Sequence, residues 1–251
     1  MRVDTGNNVL IGGFIITGTA SKNVAVRGIG PSLGAFGVPD ALADPSLELR
    51  GSNGALILAN DDWQSDPTQA AQLTALGLAL QSPKESGLVA TLQPGSYTAV
   101  LSGINQATGV GLVEIYDTNS ASASQLANIS TRGLVLTSSN VMIGGFILGG
   151  NGNTHVVVRG IGPSLAQAGI PDFLVDPTLE LHDSNGALLV SNDNWQDDSV
   201  SASQLIALGL APQNAAESGI YGSLSPGAFT AILAGKNGGT GIGLLEVYNV
   251  H

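Results

Sequence analysis

The chain has 251 residues, of which 43% are hydrophobic, so it can form one or two domains with a buried core. Its net charge is −11 at pH 7 and only 11% of the residues are charged. Such an acidic chain is not expected to bind nucleic acid or anionic lipid, because both are held by positive fields. There is no cysteine, which excludes disulfides, thiolate zinc sites and cysteine nucleophiles. No apolar run reaches the ~18 residues of a membrane span, so no membrane insertion is expected.

The first predicted elements are two short strands. Val9–Thr17 is apolar, and Gly12–Gly13 within it predicts a bulge or a close backbone approach. Asn23–Arg27 is the second strand, followed by Gly28–Gly30, which lacks the third glycine and the lysine of a phosphate loop. Ser32–Asp44 is irregular, with room for one helical turn.

Arg27 ends an otherwise apolar strand, which predicts a partly buried ion pair. The planar guanidinium suits a carboxylate partner at such a site. Several acidic residues are possible partners, and the sequence does not choose between them. The candidate partners are Asp44, Glu48 and Glu114.

The third element, Leu47–Ala59, carries the strongest local signal in the chain. Asn53–Gly54 tolerates the positive φ angles of a type I′ turn, which predicts a two-residue hairpin. This loop length would pair Leu49 with Leu58 on an apolar face and turn Glu48 to the other face.

A helix and three strands complete the unit. Asp66–Pro67 begins the helix, because Asp caps it and Pro suits its first turn, and Gly77 can end it. A second hairpin is predicted from Gly87–Leu92 and Ser96–Ser102, and Val110–Tyr116 closes the unit. Seven or eight short strands with one helix are typical of an antiparallel sandwich.

The whole unit occurs twice, at a constant offset of 132 residues and without insertions. The markers of the repeat are Arg27 and Arg159, Trp63 and Trp195, Glu85 and Glu217, and Tyr116 and Tyr248. We therefore predict an all-β protein with one short helix per repeat, built as two tandem antiparallel β-sandwich or jelly-roll-like domains. The predicted boundaries are residues 1–118 for the first domain, 119–130 for a polar linker and 131–251 for the second domain.

An acidic segment follows the hairpin in each repeat and is the candidate metal site. Carboxylate and amide oxygens this close together suit Ca²⁺, which takes six to eight oxygen ligands. The alternative is a solvated acidic turn in which Asp66 only caps the helix. The predicted calcium ligands are Asn60, Asp61, Asp62 and Asp66, with Asn192, Asp193, Asn194 and Asp198 as their counterparts.

Three stretches of the unit resemble the bacterial pre-peptidase C-terminal type of β-sandwich. They are Ser52–Gly54, Asn60–Asp62 and Pro94–Tyr97, which stand where that family has its hairpin, its acidic end and its next strand. The resemblance covers the last two thirds of each repeat. It implies a secreted bacterial β-sandwich, similar to carbohydrate-binding modules, that accompanies an activity rather than performing one. This chain departs from that setting because no catalytic domain is attached.

The residues of a catalytic site are missing. His155, His182 and His251 are neither duplicated nor clustered, and Glu85–Ser86 is predicted to hydrogen-bond a turn. The two tryptophans are expected in the core, although an exposed indole would offer a platform for sugars. We therefore predict that the chain is not an enzyme.

One asymmetry between the repeats bears on function. Asn128–Leu136 predicts an extra strand before the second repeat, whereas the matching segment before the first repeat is mostly absent. The sheet edge near Met1 would then be open to a strand from another chain, unless the start of the sequence is only a processing boundary. The predicted function is a non-catalytic extracellular structural protein of a bacterial surface that associates with itself as a fibre or surface-layer subunit. The alternative is a carbohydrate-binding accessory module, with glycans as partners.

Overall fold

A computed structural model describes residues 1–250, apart from the side chain of Ser139. The chain divides into two compact units, Met1–Ile129 and Ser130–His251. Both are mostly antiparallel β-structure with a single short α-helix, so the predicted fold class is confirmed. Neither helix in the described part of the chain is long and apolar enough to cross a membrane.

Seventeen strands and two α-helices make up the regular structure, together with short 3₁₀ turns. The elements in chain order are β1 (Arg2–Val3), β2 (Leu10–Gly18), β3 (Lys22–Ile29), β4 (Pro45–Gly51), β5 (Leu56–Asn60), α1 (Pro67–Ala75), β6 (Ser86–Leu92), β7 (Gly95–Gly103), β8 (Gly109–Val110), β9 (Leu112–Asp117), β10 (Ser124–Val135), β11 (Met142–Leu148), β12 (Thr154–Ile161), β13 (Pro177–His182), β14 (Leu188–Asn192), α2 (Ser199–Ala207), β15 (Ser218–Leu224), β16 (Gly227–Gly235) and β17 (Gly241–Val250).

Each unit is a sandwich of two sheets around an apolar core. In the first unit, β6-β3-β9 faces β10-β2-β7-β4-β5, and the core between them holds Phe14, Val26 and Leu101 at 2% exposure or less. In the second unit, the order β15-β12-β17-β10 stands opposite β11-β16-β13-β14. A second apolar cluster, around Trp63 and Leu73, lies where α1 covers the outer side of β3 and β6.

The predicted linker 119–130 is wrong in its second half. Ser124–Val135 is one strand, β10, which is hydrogen-bonded to β2 in the first unit and to β17 in the second. Its small polar residues resemble a linker in composition. Leu126, Ile129 and Val135 are nevertheless packed, and Val135 is fully buried. Only Leu126 and Ile129 fall within residues 119–130, and two apolar contacts among polar residues are too few to show as an alternating pattern.

The first hairpin forms with the predicted register but a different turn. Leu49 pairs with Leu58, and the second repeat pairs in the same way. Only Gly54 has a positive φ, +77°, whereas Asn53 does not, so the turn is not type I′. The Gly54 N–H donates to the Gly51 carbonyl, which gives a three-residue loop. A register shift just after Leu49 absorbs the extra residue and restores the predicted pairing.

The second predicted hairpin does not exist. β6 pairs with β3, whereas β7 pairs with β2 and β4 in the facing sheet. Gln93–Gly95 therefore carries the chain from one sheet to the other. An alternating apolar pattern identifies a strand but not the sheet to which it belongs, because both sheets bury one face in the same core.

The glycine pair in β2 is a site of close approach and not a bulge. β2 pairs with β7 without interruption from Leu10 to Ile16. A Cβ added to Gly12 would lie 3.1 Å from Cγ1 of Val113 in the facing sheet. The small residue lets the two sheets come together over β9.

The predicted helix is confirmed. The Asp66 side chain accepts the N–H groups of Thr68 and Gln69 at 2.8 and 3.2 Å, as an N-cap does. Pro67 occupies the first turn, and Gly77 adopts a φ of +71° just after the helix. Asp198 caps α2 in the same way.

Gly30 offers a sharp test of the packing. A Cβ there would lie 2.1 Å from the carbonyl oxygen of Leu42, so Gly30→Ala should force the backbone apart and cost about 3 kcal/mol of unfolding free energy. Urea unfolding measures this. The control is Gly34→Ala, where no atom lies within 4 Å and where the second repeat already has Ala166. Equal stability of the two variants would contradict the packing described here.

Candidate functional site

The acidic segment of the first unit is a tightly hydrogen-bonded turn. The Asn60 amide donates to the Asp62 carbonyl at 2.9 Å, and its oxygen accepts the Gly87 N–H at 2.9 Å. Asp61 accepts the N–H of Asp62, and Asp66 caps α1. The Asn60 oxygen thus fixes the end of β5 against β6, while its amide nitrogen closes the turn.

The second unit repeats this arrangement with one added charge contact. Asn192 donates to the Asn194 carbonyl at 3.0 Å and accepts a backbone N–H of β15, and Asp198 caps α2. Asp193 accepts a hydrogen bond from Lys236 Nζ at 2.6 Å. This bond raises the pKa of Lys236, because it favours the charged ammonium.

The predicted calcium ligands therefore lie together at one end of each sandwich, next to the helix N-terminus. Within residues 1–250, no three His, Cys, Asp or Glu side chains are grouped so that they could hold a metal ion. The oxygens of the two asparagines already accept backbone hydrogen bonds. Calcium binding at these turns stays a prediction.

A buried glutamate accepts four hydrogen bonds in each unit. Glu85 has no solvent exposure and accepts the backbone N–H groups of Gly30, Ser32 and Ser82. The Ser32 hydroxyl also donates to it. Glu217 has the same four kinds of donor in the second unit, at 2.7 to 3.2 Å. The prediction that Glu85 hydrogen-bonds a turn is confirmed.

The partner loop of this glutamate was missed from the sequence. Gly28–Ser32 is not a phosphate loop, but its N–H groups do bind an anion, namely the carboxylate of the chain itself. The signal was available, because Val26–Leu33 recurs letter for letter as Val158–Leu165. Nothing in the spacing of 53 to 55 residues names Glu85 as the partner.

The predicted ion pair of Arg27 is confirmed with Glu114 as its partner. Arg27 Nε donates to the Glu114 carboxylate at 2.8 Å, and its other nitrogens reach the Leu78 carbonyl and the Tyr116 hydroxyl at 3.1 Å. The guanidinium also lies 5.2 Å from the ring centroid of Tyr116. The cluster joins β3, β9 and the loop after α1, which makes it a structural contact.

The same cluster borders an open depression in the second unit. Arg159 bonds Glu246 and Tyr248 beside a cavity of about 350 Å³ that Ser164 also lines. Ser164 Oγ donates to the buried Glu217, so its proton is held by a carboxylate and not by a histidine. Ser164 thus belongs to the loop whose backbone N–H groups the same carboxylate accepts.

The expectation that both tryptophans belong to the core is confirmed. Trp63 and Trp195 are 7% and 8% exposed and pack in the clusters under the helices. A buried indole cannot stack on a sugar ring. The alternative, an exposed indole that would serve as a platform for sugars, is therefore wrong.

The histidines lie apart, as expected from the sequence. His155 stacks on Tyr221 with 5.5 Å between ring centroids. His182 is hydrogen-bonded to Glu180, which raises the pKa of the imidazole because the charged form gains a carboxylate partner. His251 falls outside the described residues.

The two units differ at the edges of their sheets. β9 borders β3 on one side, and no other strand of the described chain borders it on the second side, which we call the β9 edge. Its counterpart β17 lies between β12 and β10. Next to β9, Arg2–Val3 pairs with β8, and the Met1 amino group donates to the Gly111 carbonyl.

The apolar side chains of β9 are more exposed than those of β17. Leu112 is 39% exposed and Val113 and Ile115 are half-buried, while Leu245 and Val247, the counterparts of the last two, are 2% and 8% exposed. The β9 edge therefore leaves part of the first core within reach of solvent.

Comparisons with known proteins identify no family. No family model matches the chain, and no curated protein does. A chain of Sulfolobus Turreted Icosahedral Virus is 13% identical over 99% of this chain and 85% of its own, with a TM-score of 0.27. VP54 of PBCV-1 is 10% identical over 99% and 91%, with a TM-score of 0.24. A candidate secreted protein of Eubacterium rectale is 9% identical over 94% and 68%, with a TM-score of 0.22. Likenesses this weak carry no argument about what the chain does.

Removal of the buried carboxylate should destabilise its unit strongly. Glu85→Ala leaves four donors without their acceptor, which should cost at least ~3 kcal/mol of unfolding free energy. The control is Glu48→Ala, which breaks a half-exposed pair with Arg50 and should cost less than ~1 kcal/mol. Urea unfolding compares them, and similar losses would show that the buried carboxylate does not hold the loop.

Tyr248 should be the last tyrosine to ionise. Burial, and then the charge of Glu246, raise its pKa from 10.0 to about 12. The folded state keeps this proton while the unfolded chain releases it, so its contribution to stability is complete below pH 10 and declines towards pH 12. Ultraviolet titration of tyrosinate should show a late component that Tyr248→Phe removes. A single titration near pH 10 would refute the shift.

Proposed function

We propose that this chain is a non-catalytic structural protein of a bacterial surface that associates with itself by β-strand addition, as a subunit of a fibre or surface layer. The β9 edge is the observation that carries the proposal. An edge strand presents a row of unpaired N–H and C=O groups, which another chain can extend as a sheet.

The direction of the backbone groups in β9 follows from one hydrogen bond. The Thr118 N–H, just after β9, donates to the carbonyl of Asn23 in β3, so Thr118 and Asn23 form a hydrogen-bonded pair of the antiparallel ladder. Such pairs alternate along an antiparallel ladder. The backbone groups that point away from β3 are therefore those of Val113, Ile115 and Asp117.

Burial supports association at this edge. A strand laid along β9 would accept and donate hydrogen bonds at these three residues and would cover the exposed Leu112 side chain. Apolar surface removed from water contributes roughly 25 cal/mol per Å². The same strand position is already filled beside β17, which indicates that the sandwich has room for it.

Several side chains of types that could take part in catalysis are instead engaged in structural hydrogen bonds, which supports a non-catalytic protein. Glu85 and Ser32 bind each other, Arg27 binds Glu114, and Asn60 binds the neighbouring backbone. An extracellular location is supported by the composition, in which charged residues are scarce and glycine is abundant. The resemblance to pre-peptidase C-terminal domains supports the same location.

The alternative function, carbohydrate binding, has no remaining observation in its favour. It depended on an exposed Trp63 or Trp195 beside a groove, and both are buried.

Self-association can be tested on the purified chain by sedimentation velocity and negative-stain microscopy over a range of concentrations. We expect oligomers that grow with concentration. Leu112→Lys places a charge on the β9 edge and should raise the concentration needed by at least about tenfold. Val200→Lys, at a 70% exposed position on α2, is the matched control and should have no effect. A chain that stays monomeric throughout, or a Leu112→Lys variant that assembles normally, would refute the proposal.

Calcium at the acidic turns is a separate expectation. If Ca²⁺ binds there, millimolar Ca²⁺ should raise the thermal midpoint, since a ligand that binds only the folded state stabilises it. Asp61→Asn combined with Asp62→Asn should abolish the rise, whereas Asp40→Asn should not. A midpoint unchanged by Ca²⁺ would leave the turns as solvated acidic segments.

A further inference from the structure

A second open edge lies in the other unit, on β11. β11 borders β16 on one side, and among residues 1–250 no strand borders it on the other, which we call the β11 edge. Its counterpart β2 lies between β7 and β10. Each unit thus lacks a strand that the other possesses.

The alternation of hydrogen bonds along β16 shows which backbone N–H and C=O groups of β11 point away from β16. The Lys236 N–H donates to the Asp176 carbonyl, so alternate residues of β16, counted from Lys236, bond to β13. The residues between them, including Phe229, bond to β11 and pair with Met142, Gly144 and Phe146. The backbone groups that face away from β16 therefore belong to Ile143, Gly145 and Ile147.

Two of the three side chains at these positions are large, apolar and exposed. Ile143 is 52% exposed and Ile147 is 79% exposed. Their counterparts in the first repeat, Ile11 and Ile15, are only half-exposed or less, because β2 has neighbours on both sides. The difference arises from the missing neighbour and not from the sequence, since the residues are identical.

β10 shows how both kinds of edge are covered. In the first unit it borders β2, its Leu126 and Ile129 pack on the core, and the Ser124 hydroxyl accepts the Ala20 N–H at 3.0 Å. In the second unit it borders β17, and Val135 is buried in the core there. β10 therefore pairs both with β2, the counterpart of β11, and with β17, the counterpart of β9.

The other edge strands of the two sandwiches are β5 and β6 in the first unit and β14 and β15 in the second, so these edges recur in both repeats. β5 and β14 are edge strands in their own units, so the repeat itself ends there. Both have only five residues, and short edge strands are a common protection against unwanted pairing. The contrast between the two units singles out β9 and β11.

We infer that the β9 and β11 edges are acceptors for one kind of strand, a segment like β10 that connects two further repeats of this type. Its chemistry is that of Ser124–Val135: an extended run of small polar residues with Leu, Ile and Val at its contact positions and one Arg. The inference rests on the proposed function, because it names the strand through which repeats of this protein would join end to end.

A labelled synthetic peptide with the sequence of Ser124–Val135 tests this on the full chain by fluorescence anisotropy. We expect saturable binding that a scrambled peptide of the same composition does not show. Ile147→Pro should weaken binding at the β11 edge by at least tenfold without breaking the ladder, because the N–H it removes points away from β16. Val200→Lys should bind the peptide normally.

The folding of the variants is checked by their urea midpoints. If Ile147→Pro unfolds, the double variant Ile143→Lys with Ile147→Lys tests the same edge by charge, and Leu112→Lys tests the β9 edge. Absence of binding by the Ser124–Val135 peptide, equal binding of the scrambled peptide, or binding unaffected by every edge variant would overturn the inference.

The two proposals fail in different ways. A chain that self-associates but ignores the peptide supports strand addition in general and overturns β10 as the model of the added strand; direct pairing of edges between two copies would then be the mechanism. A chain that binds the peptide yet stays monomeric in sedimentation supports the inference and overturns self-association of this chain by itself.

Discussion

Every β-strand carries hydrogen-bonding groups on both of its sides, and the architecture of this protein depends on where each row finds its partners. Inside the units, the rows are paired and the apolar faces are closed over a core. At β9 and β11 one row is left without a strand among residues 1–250, although the neighbouring side chains are apolar. The strand addition proposed above would supply partners for these two rows.

The duplication makes this visible, because each repeat serves as the reference for the other. The buried carboxylates of Glu85 and Glu217, the ion pairs of Arg27 and Arg159, and the helix caps recur with the same partners. These contacts define the repeat. The strand neighbours of β9 and β11 do not recur, and neither does the contact between Lys236 and Asp193.

The sequence predicted local features well and long-range ones poorly. The pairing of Leu49 with Leu58 and the cap at Asp66 depend on residues a few positions apart, whose types dictate the geometry. The sheet change at Gln93–Gly95 and the loop bound by Glu85 depend on which distant segments meet, and apolar alternation is the same for either sheet. β10 was taken in part for a linker because its polar residues gain order only from the strands beside it.

Amide hydrogen exchange resolved by residue tests the central claim most directly. In dilute solution, the account predicts fast exchange at Val113 and Ile115, whose N–H groups face the β9 edge, and slow exchange at their counterparts in β17, which lies between two strands. On assembly or on addition of the Ser124–Val135 peptide, the amides of β9 should become protected. Equal protection of β9 and β17 in the dilute monomer, or no change in β9 when the chain assembles, would contradict the account.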